Sequence, residues 1–193
     1  MLDTFRKMWY ATANALDKSY DKYTDSLVTM PFMHKQFHAG QCFSARGHLI
    51  VPSGSTYTIH FTTPIADNYG VIHLQEFDVE CNKPEVKVEC KEGVTIDTQG
   101  SSLFDTFNRN RQHFSDKECG FTIYGDGAIS GGEVLEQFTF INQDNKTPLI
   151  GNDNLNNLEW ILKEQTNCAV DITNNNVDDA DLEIFMFWYQ LES

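Results

Sequence analysis

Residues 85–91 read Glu-Val-Lys-Val-Glu-Cys-Lys. Val86, Val88 and Cys90 fall on one side of an extended chain and Glu85, Lys87, Glu89 and Lys91 on the other, because successive side chains of a strand point to opposite faces. The pattern describes a half-buried antiparallel strand with one wet face. The same alternation occurs in Thr56–Thr62, where Tyr57, Ile59 and Phe61 oppose Thr58, His60 and Thr62, and again at Val134, Phe138 and Phe140. Further strands are expected at Gln36–Ala45, His48–Val51, Val71–Glu80, Gly120–Tyr124, Glu159–Lys163, Thr166–Thr173 and Leu182–Tyr189. Turn formers separate them: Pro52-Ser-Gly54, Asp67-Asn-Tyr-Gly70, Asn82-Lys-Pro84, Gly125-Asp-Gly127, Gly131-Gly132 and Asn174-Asn-Asn176. Asn142–Asn157 and Asn174–Asp181 read as long surface loops. About ten short strands at intervals near ten residues predict an all-β, antiparallel, jelly-roll-like β-sandwich of about eight to ten strands.

Two segments depart from this pattern. Over residues 3–24, Phe5, Met8, Trp9, Thr12, Leu16, Tyr20 and Tyr23 recur three and four apart. That is one stripe of an amphipathic helix, with Asp3 as its N-cap. The expected organisation is therefore an N-terminal helical arm over 1–26 and a single β-sandwich over 27–193. At the other end, Leu182, Ile184, Met186 and Trp188 share one face while Phe185, Phe187 and Tyr189 share the other. A strand apolar on both faces needs cover on both. The helix stripe and the second face of this strand are thus the expected partner-binding residues: Phe5, Met8, Trp9, Leu16, Tyr20, Phe185, Phe187 and Tyr189.

Composition narrows the function. The chain has 193 residues, with 14 Lys+Arg against 28 Asp+Glu, a net charge of −14. Such a field repels nucleic-acid phosphates and anionic membranes. No apolar run approaches the roughly 18–20 residues needed to span a bilayer. The opening MLDTFRKMWY lacks the basic-then-apolar pattern of a secretory signal. Five cysteines, an odd number with no CxxC pair, point to free thiols and assembly in a reducing cytoplasm. A Cys81–Cys90 bridge across a hairpin is the alternative.

Patterns that carry chemistry are missing or incomplete. No GxxxxGK[ST] or GxGxxG motif occurs. Ser130, in Gly127-Ala-Ile-Ser-Gly131, is out of register for a nucleophile elbow. His34, His38 and Cys42 are four apart, but read as strand each lies about 13 Å from the next, too far for one metal. No HxH pair occurs, and His73-Leu-Gln-Glu76 is only a fragment of a cupin signature. Asp153, or Asp178 with Asp179, reads better as solvated turn than as a calcium site. Arg109 and Arg111 are expected to hold a loop through carboxylates or backbone carbonyls. Trp160 and Tyr124 are the aromatic residues a carbohydrate-binding module would use. No catalytic residue, metal site or cofactor is expected.

Several segments, in order, resemble a known family: His34-Lys-Gln-Phe-His-Ala-Gly40, Phe61-Thr-Thr-Pro64, Phe107-Asn-Arg-Asn-Arg111, Ser130-Gly-Gly132, Glu159-Trp-Ile-Leu-Lys163 with Thr166, and Phe187-Trp-Tyr189. Together they resemble the capsid decoration (cement) proteins of tailed bacteriophages, small virion proteins of jelly-roll type. The likeness spans roughly residues 34–190 and leaves the N-terminal helix outside it. Cys168 stands where the family pattern has an aromatic. The resemblance implies a non-enzymatic protein on the outer surface of the virion. It would be assembled in the host cytoplasm, form a homo-oligomer (dimer or trimer) and bridge units of the major capsid protein. A tail, neck or fibre-attachment component is the alternative with the same fold, and a carbohydrate-binding module a third reading.

Overall fold

The computed structural model describes residues 19–21, 26–28, 32–111, 118–141, 145–150 and 159–191. The chain divides into two compact units, Met1–Ala39 and Gly40–Ser193. The smaller holds strands β1 (Ser19–Asp21) and β2 (Ser26–Val28), paired antiparallel, and helix α1 (Phe32–His38). Of the helix expected over 3–24, Ser19–Asp21 is therefore strand; residues 3–18 and 22–24 lie outside the described residues. The strand expected over Gln36–Ala45 is also corrected. Its first part is helix α1, followed by Gly40 at φ +69°. That left-handed backbone, natural for glycine after a helix, interrupts any extended run.

Among its described residues the larger unit is all β apart from one short helix. Its elements are β3 (Cys42–Val51), β4 (Thr56–Thr62), α2 (Ala66–Tyr69), β5 (Val71–Cys81), β6 (Val86–Glu92), β7 (Thr95–Thr98), β8 (Ser101–Phe104), β9 (Thr106–Asn108), β10 (Ile123–Gly125), β11 (Ala128–Ser130), β12 (Glu133–Thr139), β13 (Asn145–Ile150), β14 (Trp160–Ile161), β15 (Asn167–Asn174) and β16 (Ala180–Leu191). The strands form two six-stranded sheets and a small β7–β11 ribbon, and every pairing is antiparallel. One sheet runs β12-β6-β15-β4-β10-β8, the other β13-β5-β16-β3-β9 with β14 also on β5. The expected strands His48–Val51 and Ala45 before it belong to one ten-residue strand, β3. Gly47 does not break it: a Cβ there would lie 1.8 Å from Phe104 Cε1, so the glycine seats that ring. The first expected surface loop contains edge strand β13, whose Pro148 is tolerated at a sheet margin.

Alternation decides what is buried. Ile59 and Phe61, Val86, Val88 and Cys90, and Val170 and Ile172 line the inner face of one sheet; Phe43, Leu49 and Val51, Phe77 and Val79, and Leu182, Ile184, Met186 and Trp188 line the other. Both sets belong to one apolar cluster, giving a β-sandwich-like body. A bulge in β5 refines the match. Phe187 pairs with Glu76 and Trp188 with Leu74, so Gln75 is the extra residue. Without it Leu74 and Phe77, three apart, could not both face inward as they do. All five cysteines are free thiols. Cys81 lies on β5 and Cys90 on β6, in different sheets, so the bridge considered between them is not made.

Two measurements test this core. Trp188 is fully buried and packs against Phe43 (ring centroids 6.1 Å) and Phe121 (5.0 Å); Trp188→Ala should cost about 3–5 kcal/mol in a denaturant titration. Burial pushes the thiols of Cys42, Cys90 and Cys168 up to about 12 from 9.0. A raised acid favours the folded state while it stays protonated. This stabilisation is complete below pH 9 and is lost as pH rises toward 12. Urea midpoints should therefore fall steadily above pH 9, and substituting Ala for these cysteines should flatten that slope.

Candidate docking face

Along β16 the side chains that do not enter the core emerge on the outer face of the second sheet. Register places each between named neighbours. Glu183 lies beside His48 and Glu80, Phe185 beside Arg46 and Asp78, Phe187 beside Ser44 and Glu76, and Tyr189 beside Cys42 and His73. The result is an aromatic row flanked by carboxylates. Arg46, Glu76, Asp78, Glu80, Glu183 and Phe185 surround an open depression of about 250 Å³. Arg46 Nε donates to Glu183 Oε2 at 3.3 Å, an exposed pair of little energetic weight. His48 bonds Asp181 at the margin. Asp78 is buried on the floor, whereas Phe185 and Phe187 are half-buried.

The expected partner-binding residues separate accordingly. Phe185 and Phe187 reach this face. The Arg109 guanidinium sits 5.8 Å from the centre of the Phe187 ring, a cation–π contact. Tyr189 is only 3 % exposed and is tied inward. Its hydroxyl donates to Glu159 Oε2 at 2.9 Å and lies 3.1 Å from His73 Nδ1, while the two rings stack with centroids 4.6 Å apart. Gln75 also donates to Glu159, and His73 Nδ1 lies 3.3 Å from Glu159 Oε1. Burial, with Glu159 as second cause, pushes the Tyr189 hydroxyl well above the usual tyrosine range. Tyr189 is therefore a clamp between β16, β5 and the segment leading into β14. Phe5, Met8, Trp9 and Leu16 lie outside the described residues, and Tyr20 is in β1.

The residues weighed for chemistry are dispersed. Ser130 ends β11, exposed, before the left-handed Gly131. His34 and His38 lie on a helix, not a strand, with Nε2 atoms 2.8 Å apart. Cys42, by contrast, is a buried thiol on β3. Among the described residues no three His, Cys, Asp or Glu side chains are grouped to hold a metal, and no helix is long and apolar enough to cross a membrane. Asp178 pairs with Lys83 at 3.1 Å and Asp179 accepts from the Ser53 amide at 3.0 Å. Asp153 lies outside the described residues. Tyr124 stacks on the buried His60 ring, centroids 5.6 Å apart, and Trp160 packs against the core.

The acidic part of the face was readable in the sequence. Glu76, Asp78 and Glu80 alternate with Phe77, Val79 and Cys81 in β5. The strand expected over Val71–Glu80 thus presents its carboxylates on the side away from the core. What sequence spacing cannot supply is their meeting with Glu183 and Phe185, which are over a hundred residues away.

Tyr189→Phe removes the hydroxyl while keeping the ring, and should cost about 1–2 kcal/mol of unfolding free energy. Phe185→Ala should cost less than Trp188→Ala in the same titration, because its ring is only half-buried. No family model matches this chain, and no curated protein matches it.

Proposed function

We propose that this chain is a capsid decoration (cement) protein of a tailed bacteriophage. It would be a non-enzymatic virion component of jelly-roll type that binds the outer surface of the capsid and bridges capsomers of the major capsid protein, as a homo-oligomer assembled in the host cytoplasm. The strand order supports the jelly-roll part. If β3, β4, β5, β6, β12, β13, β15 and β16 are counted as eight consecutive strands, the sheets contain them in the orders 1-8-3-6 and 2-7-4-5, as expected of a double Greek key. Strands β7 to β11 are then an insertion between the fourth and fifth. The segment resemblance supports the family.

The observation that carries the docking role is the acidic, aromatic outer face of β16. Half-buried aromatic rings surrounded by charge suit recognition of another protein. The net charge of −14 suits a basic counterpart and disfavours nucleic acid. On this reading the chain adds strength by contact, and no bond is made or broken.

The test is cosedimentation with shells assembled from the major capsid protein of its own phage, with and without the added chain. Stoichiometric binding in hundreds of copies per shell, and a shell that melts at higher temperature, are expected. A dozen or fewer copies per particle would replace this reading by a tail, neck or fibre-attachment role. Binding confined to a glycan array would replace it by a carbohydrate-binding module. Glu183→Lys should weaken shell binding about tenfold without lowering the melting temperature, because the pair it makes with Arg46 is exposed. Raising salt should weaken the native interaction in the same direction.

A further inference from the structure

Strand β12 ends its sheet. It pairs with β6 on one side, and among the described residues no strand pairs with its other edge. A free edge of seven residues is a template for another strand. Three features make this one selective. Register sets Glu136 opposite Cys90 and Phe138 opposite Val88, so Glu136 points toward the inner side of the sandwich from its margin. The carboxylate is half-buried, and burial raises its pKa from 4.5. Among the described residues it has neither a hydrogen bond nor an ion pair.

The second feature is the irregularity between Val134 and Glu136, where Leu135 is the extra residue. Val134 and Leu135 remain 46 % and 45 % exposed. The third is a small apolar cleft of about 30 Å³ between the sheets. Of the residues lining it, only Leu135, Trp160 and Lys91 retain appreciable exposure, so they form its mouth.

We infer that the free edge of β12 accepts an extended, basic segment of another protein by strand addition, with a Lys or Arg of that segment against Glu136 and an apolar side chain at the Leu135–Trp160 mouth. The occupant follows from charge. Glu133 and Glu136 stand on the strand, whereas the neighbouring lysines are already paired: Lys87 with Glu89, Lys91 with Asp171 and Lys163 with Glu92, at 3.0, 2.6 and 2.5 Å. A second copy of β12 would bring its own Glu133 and Glu136 against these, and like charges facing each other across a ladder are destabilising. A cationic strand instead supplies the missing partner while its backbone completes the ladder. The inference concerns this edge alone and does not rest on the capsid reading.

The test uses the full chain and two synthetic heptapeptides, one alternating Lys and Val and one alternating Glu and Val. Fluorescence polarisation measures binding, and amide hydrogen exchange maps it. Saturable binding of the Lys-Val peptide below about 1 mM is expected, with slowed exchange confined to β12. The Glu-Val peptide should not bind. Glu136→Gln should weaken the Lys-Val peptide about tenfold, and Glu133→Lys with Glu136→Lys should reverse the preference. The inference is overturned if neither peptide binds, if both bind alike, if protection appears on another strand, or if β12 is protected by self-association without peptide. The exchange map of the native chain decides the matter even if a variant fails to fold.

Discussion

Strand β16 is hydrogen-bonded along both edges, to β3 over ten paired positions and to β5 over ten, and the rest of the larger unit is arranged around it. Its inward side chains Leu182, Ile184, Met186 and Trp188 are 0–1 % exposed. A central strand with this much apolar surface fixes which residues of its neighbours face inward, because a slip of one residue would turn every partner over. The bulge at Gln75 is the concession to this constraint: it lets Phe77 and Leu74 both meet β16 from the same side. Trp188 supports the centre by packing alone, since its indole N–H has no hydrogen-bond partner among the described residues.

The outer faces of the two sheets handle their polar groups differently. On the β4–β15–β6 side several groups bond one another across strands. Thr58 donates to Asp171 at 2.6 Å, Lys91 pairs with the other oxygen of that carboxylate, and the buried His60 bonds the Gln99 carbonyl at 2.8 Å beneath the β7–β11 region. Gly127 is required there: a Cβ would come within 2.5 Å of His60 Nε2. On the β16 side the carboxylates surround an open depression.

The sheet margins differ as well. Strand β13 carries Pro148 at one margin, which removes a donor from the ladder. At β12 the protection is charge and a bulge, devices that discourage identical neighbours yet leave the edge open to an oppositely charged one.

Period-two alternation made the all-β class, the strands Thr56–Thr62 and Glu85–Lys91 and the inward row of the last strand legible, because a strand's two faces are written in adjacent letters. The helix at Phe32–His38 was not legible, because seven residues hold too few turns for a clear period of 3.6 and Gly40 masks the boundary. Strand β13 was hidden for a related reason: its polar residues and proline look like a loop until β5 offers them a ladder. Phe185 and Phe187 were found as a second apolar face, while Tyr189 from the same alternation proved to be a buried clamp. Its partner Glu159 is 30 residues away and is brought there only by the fold. Which residues alternate, how much net charge the chain carries and where turns are cheap are local properties, legible in the letters. Which faces are covered, which carboxylates share a depression and which edge has no partner among the described residues emerge only from the fold. Those depend on long-range strand order, which local propensity does not encode.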